Sequence, residues 1–489
     1  MFASGPVVRI ATGEIAGRSR AGVREFRGIP YAAAPAGPLR WRPPEPAEGW
    51  SGVRDAGAFG PDPVQIVRDN PAGRSLAPGV SEDCLNLNLW APERVPPGGA
   101  PVIVGFAGGG YVSGSASRDG VDGYALARRG VVLVTVNYRV GAFGFLAHPA
   151  LTAESPQRSS GNYGLLDAIA GLRWVRDNVA AFGGDPERVT TIGGSAGAAI
   201  AALLLTSPLA AGLARRTILR SPSSLRPLPV LAEAEAAGRA AAGDDLAALR
   251  ALPAADVLAL NGRIDAGARS LLALRRLRPI VDGWVIPRDE GDAYRNGAFD
   301  AVPAIVGCNA DEGRSFLANA PLRTVAELRA YLAANFGPLA AEAWRVYGVR
   351  TDAGVADAAA AMWGDAMFSY GVRGLARAFA AHATCYRYVF AYAGASGASP
   401  PIHGDEVRYA FGTGAFDARD RAISDALVAA FANFAATGDP NGPDAPAWSP
   451  YDPERDNHLT FAERCSAGSG FRAAGASLVE RYYAETTGR

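Results

Sequence analysis

No lysine occurs among the 489 residues, so the positive charge is carried by arginine alone, and 48 basic side chains balance 48 acidic ones to a formal net charge of zero. Arginine used to the exclusion of lysine reads as the mark of a genome rich in G and C rather than of a mechanism. The balance of charge, with no basic tract, excludes a nucleic-acid binder. A hydrophobic share of 49% against 20% charged residues excludes a disordered chain. No apolar run approaches the roughly twenty residues of a membrane span, the longest being Val131 to Val136 with its neighbours. Met1-Phe2-Ala3-Ser4-Gly5 lacks a basic start followed by an apolar core, so no secretory signal is expected; a mature form with its leader removed is the alternative. Cysteine is scarce too: Cys84, Cys308, Cys385 and Cys465 lie far apart, without metal-ligand spacing, which predicts a reduced, cytoplasmic protein. No repeat or flexible linker divides the chain, which predicts a single domain over 1–489.

Glycine, by contrast, is abundant at 59 residues, and one glycine pair frames the central feature. In Thr190-Thr191-Ile192-Gly193-Gly194-Ser195-Ala196-Gly197-Ala198-Ala199, a β-branched run ends in glycine and an alanine- and leucine-rich helical stretch follows to about Leu205. This is the only Gly-x-Ser-x-Gly in the chain. A strand, a sharp turn and a helix in that order lift the serine hydroxyl clear of a sheet, and the flanking glycines are needed where a side chain would strike neighbouring backbone. The helix N-terminus behind Ser195 also favours negative charge on an attacked oxygen. The expected chemistry is acyl transfer.

Upstream, Pro101 to Phe106 reads as a buried strand that runs into Ala107-Gly108-Gly109-Gly110-Tyr111. Backbone amides of such a run can turn inward unobstructed, so Gly109 and Gly110, with Ala196 after the serine, are the expected oxyanion donors. Val131 to Val136 is a second buried strand, and Leu165 to Phe182 has a helical apolar period. Strand, helix, strand in this rhythm predicts a largely parallel sheet flanked by helices. Glu82 and Asp83, at the mouth of an alternating strand ending at Trp90, are expected to take salt bridges from arginines such as Arg40 or Arg139.

Gly28-Ile29-Pro30-Tyr31-Ala32, Leu39-Arg40-Trp41, Glu82-Asp83-Cys84-Leu85-Asn86-Leu87-Asn88, Asn137-Tyr138-Arg139, Phe182-Gly183-Gly184-Asp185-Pro186 and Gly193-Gly194-Ser195-Ala196-Gly197 resemble, in order and spacing, the type-B carboxylesterase/lipase family. That family includes bacterial para-nitrobenzyl esterases and the cholinesterases. The resemblance covers most of the chain and implies an α/β-hydrolase fold and hydrolysis of small-molecule carboxylic esters without metal or organic cofactor. A monomer or homodimer is expected. Two other readings share these residues: the same machinery acting on an amide, carbamate or lactone, and a non-catalytic binding module on this fold.

In this fold the chain order is serine, acid, histidine. Of the four histidines, His148 and His458 sit beside apparent strand ends and His382 lies in an alanine-rich helix. His403 follows the Gly/Ser/Pro-rich loop 394–401 with a glycine beside it, as suits a base that must reach across to a hydroxyl. The family sets its histidine in the same His-Gly-x-Glu context. For the acid, the strand Ala304 to Gly307 leads to a loop with two adjacent candidates, Asp311 and Glu312. The residues alone leave both open; the family motif Asn-x-Asp-Glu-Gly implies Glu312.

Between these anchors, 231–278 and 322–383 read as helical insertions above the strand ends, where ligands bind in such sheets. Phe106, Tyr111, Trp363 and Phe368 are candidate pocket walls, although aromatics in such positions are commonly core. Three departures from the family pattern stand out: Ala107 where many members have histidine, Ala168 in place of glutamine, and Gly194 in place of a glutamate beside the nucleophile. Loss of that carboxylate predicts a histidine that titrates lower and little gain from cationic, choline-like esters.

Overall fold

Two apolar runs, Ala100–Phe106 and Val132–Val136, are buried along their whole length, as strands covered on both faces must be. They lie in the middle of an eleven-stranded sheet. In chain order its strands are β1 (Arg18–Arg20), β2 (Val23–Pro30), β3 (Asn86–Pro92), β4 (Ala100–Phe106), β5 (Val132–Val136), β6 (Gly184–Gly194), β7 (Arg216–Arg220), β8 (Ala304–Asn309), β9 (Cys385–Phe390), β10 (Asn457–Phe461) and β11 (Ser466–Ser469). The spatial order is β11-β10-β9-β8-β7-β6-β4-β5-β3-β2-β1. Pairing is parallel from β5 through β4 and β6 to β10, and antiparallel at both edges. The structure, a computed structural model, describes residues 5–70, 73–266, 271–272, 275–394, 397 and 399–487. The expectations for Met1 to Ser4, and those parts of the readings of 231–278 and 394–401 that fall on 267–270, 273–274, 395–396 and 398, lie outside the described residues.

The inversion of strand order at β4 and β5 matters most for the site. It places the end of β4 beside the end of β6, with Phe106 in register with Gly193. Crevices outside the carboxyl ends of parallel strands at such a switch point are where ligands bind. Helix α1 (Tyr163–Asn178) leads into β6 through a 3-10 turn at Val179–Phe182, which ends on Gly183 at φ 83°. Helix α2 (Ala196–Leu204), buried throughout, follows β6 directly.

The chain between β7 and β8 carries α3 (Leu231–Ala242), α4 (Leu246–Ala251) and α5 (Ala254–Ile264). Helix was expected to Arg278, but the last of these helices ends at Ile264, and the Asp265 carboxylate beyond it accepts from the amides of Arg276 and Leu277 at 2.9 and 3.2 Å. Between β8 and β9 come α6 (Val325–Phe336), α7 (Ala340–Tyr347), α8 (Val355–Gly364) and α9 (Tyr370–Ala380). A single π-helical turn, Asp365–Ser369, joins the last two.

Arg40 takes Glu82 at 2.5 Å, as expected. Arg139 does not: it closes a buried pair with Asp167 of α1 at 2.7 Å, since both are sealed from water and neither is sustainable alone. All four cysteines are free thiols, three of them buried. No helix among the described residues is long and apolar enough to cross a membrane.

Candidate active site

Ser195 sits between β6 and α2 at φ 57° and ψ −125°, a backbone conformation that costs an L-residue energy and persists only where its surroundings dictate it. Those surroundings are backbone. A Cβ on Gly193 would stand 2.2 Å from the Gly197 carbonyl carbon, and one on Gly197 would stand 2.1 Å from the Phe106 carbonyl oxygen. The Ser195 amide donates to the Arg220 carbonyl at the end of β7 at 2.9 Å, which fixes the turn to the neighbouring strand.

The glycine run follows β4 on the other side. The Tyr138 hydroxyl donates to the Ala107 carbonyl and the Gly141 amide to the Tyr111 carbonyl, both at 2.6 Å, pinning the run at its two ends. Gly108 lies so close to the serine turn that a Cβ there would be 2.5 Å from the Gly194 oxygen and 3.1 Å from Ser195 Cβ. Gly109 and Gly110 have φ of 138° and 61°, which glycine alone tolerates well. Their amides donate to no described residue, and the amide of Ala196, first in α2, has no acceptor within its helix.

Glu312 lies just beyond β8, and His403 beyond β9. A parallel bridge between Asp311 and Ile402, with the Asp311 amide donating to the Pro401 carbonyl at 3.0 Å, holds their loops together. His403 Nδ1 donates to Glu312 Oε2 at 2.5 Å. The other carboxylate oxygen accepts from the Asn309 amide at 2.7 Å and the Ser221 hydroxyl at 2.5 Å. Of the two adjacent acids, Glu312 therefore touches the imidazole, while Asp311 pairs with Arg314. Phe368, in the π-helical turn, stacks on His403 at 4.3 Å between centroids and 22° between planes.

With Nδ1 engaged, Nε2 carries the lone pair. Burial pushes the His403 pKa down, but the charges of Glu312 and Glu406 outweigh it and the net shift is upward. Glu406 thus supplies a raising carboxylate from another direction, although Gly194 leaves none beside the serine. Glu406 is itself held by Arg220 at 2.9 Å and by the Asn309 side-chain amide at 2.6 Å.

Ser195, His403 and the glycine run line one cavity of about 1100 Å³. The Ser195 hydroxyl is hydrogen-bonded to no described residue, His403 included; such bonds often close only around a substrate. Phe106, Tyr111, Trp363 and Phe368 all line the cavity as expected. The other histidines do not: His148 accepts from the Ala150 amide, His458 is buried in β10 with its pKa pushed down to about 4, and His382 lies exposed against Phe299. Sequence reasoning missed Ser221, Asn309 and Arg220. Their only signal was position at or just after a strand end.

A serine raised on a strained turn between a parallel strand and a helix, facing a histidine paired to an acid from later strands, defines an α/β-hydrolase. The chain belongs to the carboxylesterase family, whose model matches residues 4–477. It is 43% identical over 463 residues to a fumonisin B1 esterase of Sphingopyxis macrogoltabida, covering 92% of this chain and 85% of that protein. It is 35% identical over 322 residues to a para-nitrobenzyl esterase of Bacillus subtilis (strain 168), covering 63% of each. A solved PNB esterase superposes with a TM-score of 0.84 at 29% identity, covering 97% of this chain and 100% of that one. The protein is a serine carboxylesterase, a hydrolase of small-molecule carboxylic esters.

Proposed function

We propose that Ser195 is the nucleophile of this esterase, His403 its general base and acid, and Glu312 the carboxylate that orients the imidazole. His403 Nε2 takes the proton as Ser195 Oγ attacks the ester carbonyl. The amides of Gly109, Gly110 and Ala196 receive the developing oxyanion. The proton then passes to the departing alcohol, and water releases the acid by the same route. The observation that carries the assignment is the 2.5 Å hydrogen bond from His403 Nδ1 to Glu312 on the wall of the cavity that Ser195 enters. Glu312 stabilises the imidazolium formed during attack and fixes the tautomer that leaves Nε2 free.

The same reading takes 1–489 as one catalytic unit, with 231–278 and 322–383 as covers that set substrate choice, acting as a monomer or homodimer. Four free thiols support a reducing, cytoplasmic setting. Fumonisin B1 is the first natural ester to assay, given the 43% identity to an esterase of that name. The test is Ser195→Ala against the parent: para-nitrophenyl ester turnover falls by roughly 10³-fold or more, and fluorophosphonate labelling disappears, with an unchanged circular dichroism spectrum. Parent-like turnover in the variant overturns the assignment.

A further inference from the structure

The cavity wall is short of acid. Six arginines face it, Arg68, Arg118, Arg220, Arg226, Arg275 and Arg278, against two carboxylates, Asp265 and Glu406. Glu406 is engaged by Arg220, and Asp265 by the amides of Arg276 and Leu277. Among the described residues, none of the other five arginines has a carboxylate within ion-pair distance. Arg118 donates to the carbonyls of Arg68 and Gly73, Arg226 to the Tyr483 hydroxyl, and Arg275 to the Gly110 carbonyl at 3.3 Å.

Arg278 is the exceptional case. It is 4% exposed, its Nε is buried without an acceptor, and its guanidinium makes no hydrogen bond to a described residue. Guanidinium stays protonated in proteins, so this is a buried charge without a partner. Arg226 is near enough to act on it with charge of the same sign. The nearby acid, Glu290, closes no ion pair: one oxygen accepts from the Leu225 amide, the other is buried without a partner, and burial pushes its carboxyl up to about 7. Two further buried groups on the cavity wall lack a partner, the Tyr111 hydroxyl and Trp363 Nε1–H, and both can donate. Arg278 and the Tyr111 hydroxyl thus bring donors together where Tyr111 continues the glycine run, and no carboxylate closes an ion pair on the guanidinium. Buried polar groups are satisfied in working proteins, and a carboxylate that enters with the substrate would satisfy these.

Resting on the assignment of Ser195 above, we infer that this end of the cavity is an anion subsite, and that the preferred esters carry a free carboxylate near the scissile bond, held by Arg278 with Arg226 beside it. The cationic wall also concentrates anionic substrates at the cavity mouth.

The experiment measures kcat/KM by pH-stat for matched pairs: ethyl hydrogen glutarate against ethyl pentanoate for a carboxylate on the acyl side, and butyryloxyacetate against propyl butyrate for one on the alcohol side. The full-length protein and its Arg278→Gln and Arg278→Lys variants are compared, with fluorophosphonate labelling of each as a check on the serine. The acidic ester is expected to be favoured by at least about tenfold in one pair, the magnitude of a hydrogen-bonded charge. Arg278→Gln should abolish that preference and leave the neutral ester within about threefold, while Arg278→Lys retains part of it. If labelling and neutral-ester turnover are normal but neither pair shows a preference, or Arg278→Gln lowers both esters equally, the anion subsite is refuted and the esterase assignment stands. If the parent neither labels nor turns over any ester, the assignment of Ser195 falls first and the subsite with it.

Discussion

The guanidinium of Arg220 lies 2.9 Å from the Glu406 carboxylate and, on its other side, 3.1 Å from where a Cβ on residue 194 would stand. A side chain at position 194 would press on this arginine from the next strand, beside Ser195. The glutamate that the family pattern leads one to expect there is replaced by a buried ion pair between Arg220 and Glu406, both 6% exposed or less.

The pair sets a pH dependence. Glu312 and Glu406 raise the His403 pKa above its ordinary 6.5 against the opposing effect of burial. As the proposed base, His403 must be neutral to accept the serine proton, so kcat/KM should fall as pH drops through that raised value, placing the acid limb above pH 6.5. Glu406→Gln removes one raising charge and leaves Arg220, which lowers the pKa, so the limb should move to lower pH. A pH profile of the variant with the limb unmoved or moved upward would contradict this. The stability linkage runs alongside: the charged His403–Glu312 pair contributes fully below the unfolded pKa and is lost as pH rises through the folded one.

Gly108→Ala tests the approach of the glycine run to the serine turn. Its Cβ would meet the Gly194 carbonyl at 2.5 Å, and since that contact is backbone on both sides, the run must retreat from Ser195. Donors displaced by a few tenths of an ångström lose the oxyanion, so kcat should drop by about 10²-fold or more while KM changes less. Steady-state kinetics together with a melting curve separate this from unfolding; wild-type kcat would show that the run tolerates a side chain.

Glu290→Gln probes a buried carboxyl outside the proton relay. Its folded pKa is raised from 4.5 to about 7 by burial, so its stabilising contribution is present in full below pH 4.5 and is lost as pH rises through about 7. Glutamine still accepts from the Leu225 amide and never ionises. The variant should therefore match the parent near pH 4.5 and exceed it at pH 8, by up to about 3 kcal/mol. Denaturant midpoints at the two pH values check this, and equal differences at both would refute it.

The serine turn was fully legible, because glycine at 193 and 197 is required by contacts between neighbours in sequence and in the sheet. The same holds for the β4 and β6 runs, whose apolar continuity reports burial on both faces. The choice of Glu312 over Asp311 was not legible from the residues alone: only the fold turns one carboxylate toward His403 and the other toward Arg314. Arg139 was misassigned for the same reason, its partner Asp167 lying on a helix that the strand pattern does not place. The bonds that Asp265 accepts beyond the helix end at Ile264 come from amides eleven and twelve residues ahead, a reach that no local pattern reports. The arginine-rich wall was hidden because its members come from four separate stretches in a chain that uses arginine everywhere.

The short bridge between Asp311 and Ile402 closes the intervening chain into a loop whose two ends cannot part. Everything hung on that loop, helices α6 to α9 among it, is free to lengthen, shrink or diverge without altering the span between acid and base. Phe316 and Phe368, which lean on the imidazole, and Trp363, on the cavity wall, carry news of such changes inward. A scaffold wired in this manner lets substrate range drift while the proton path stays put, and swapping the segment between relatives, with those two phenylalanines kept, is a practical route to new ester preferences.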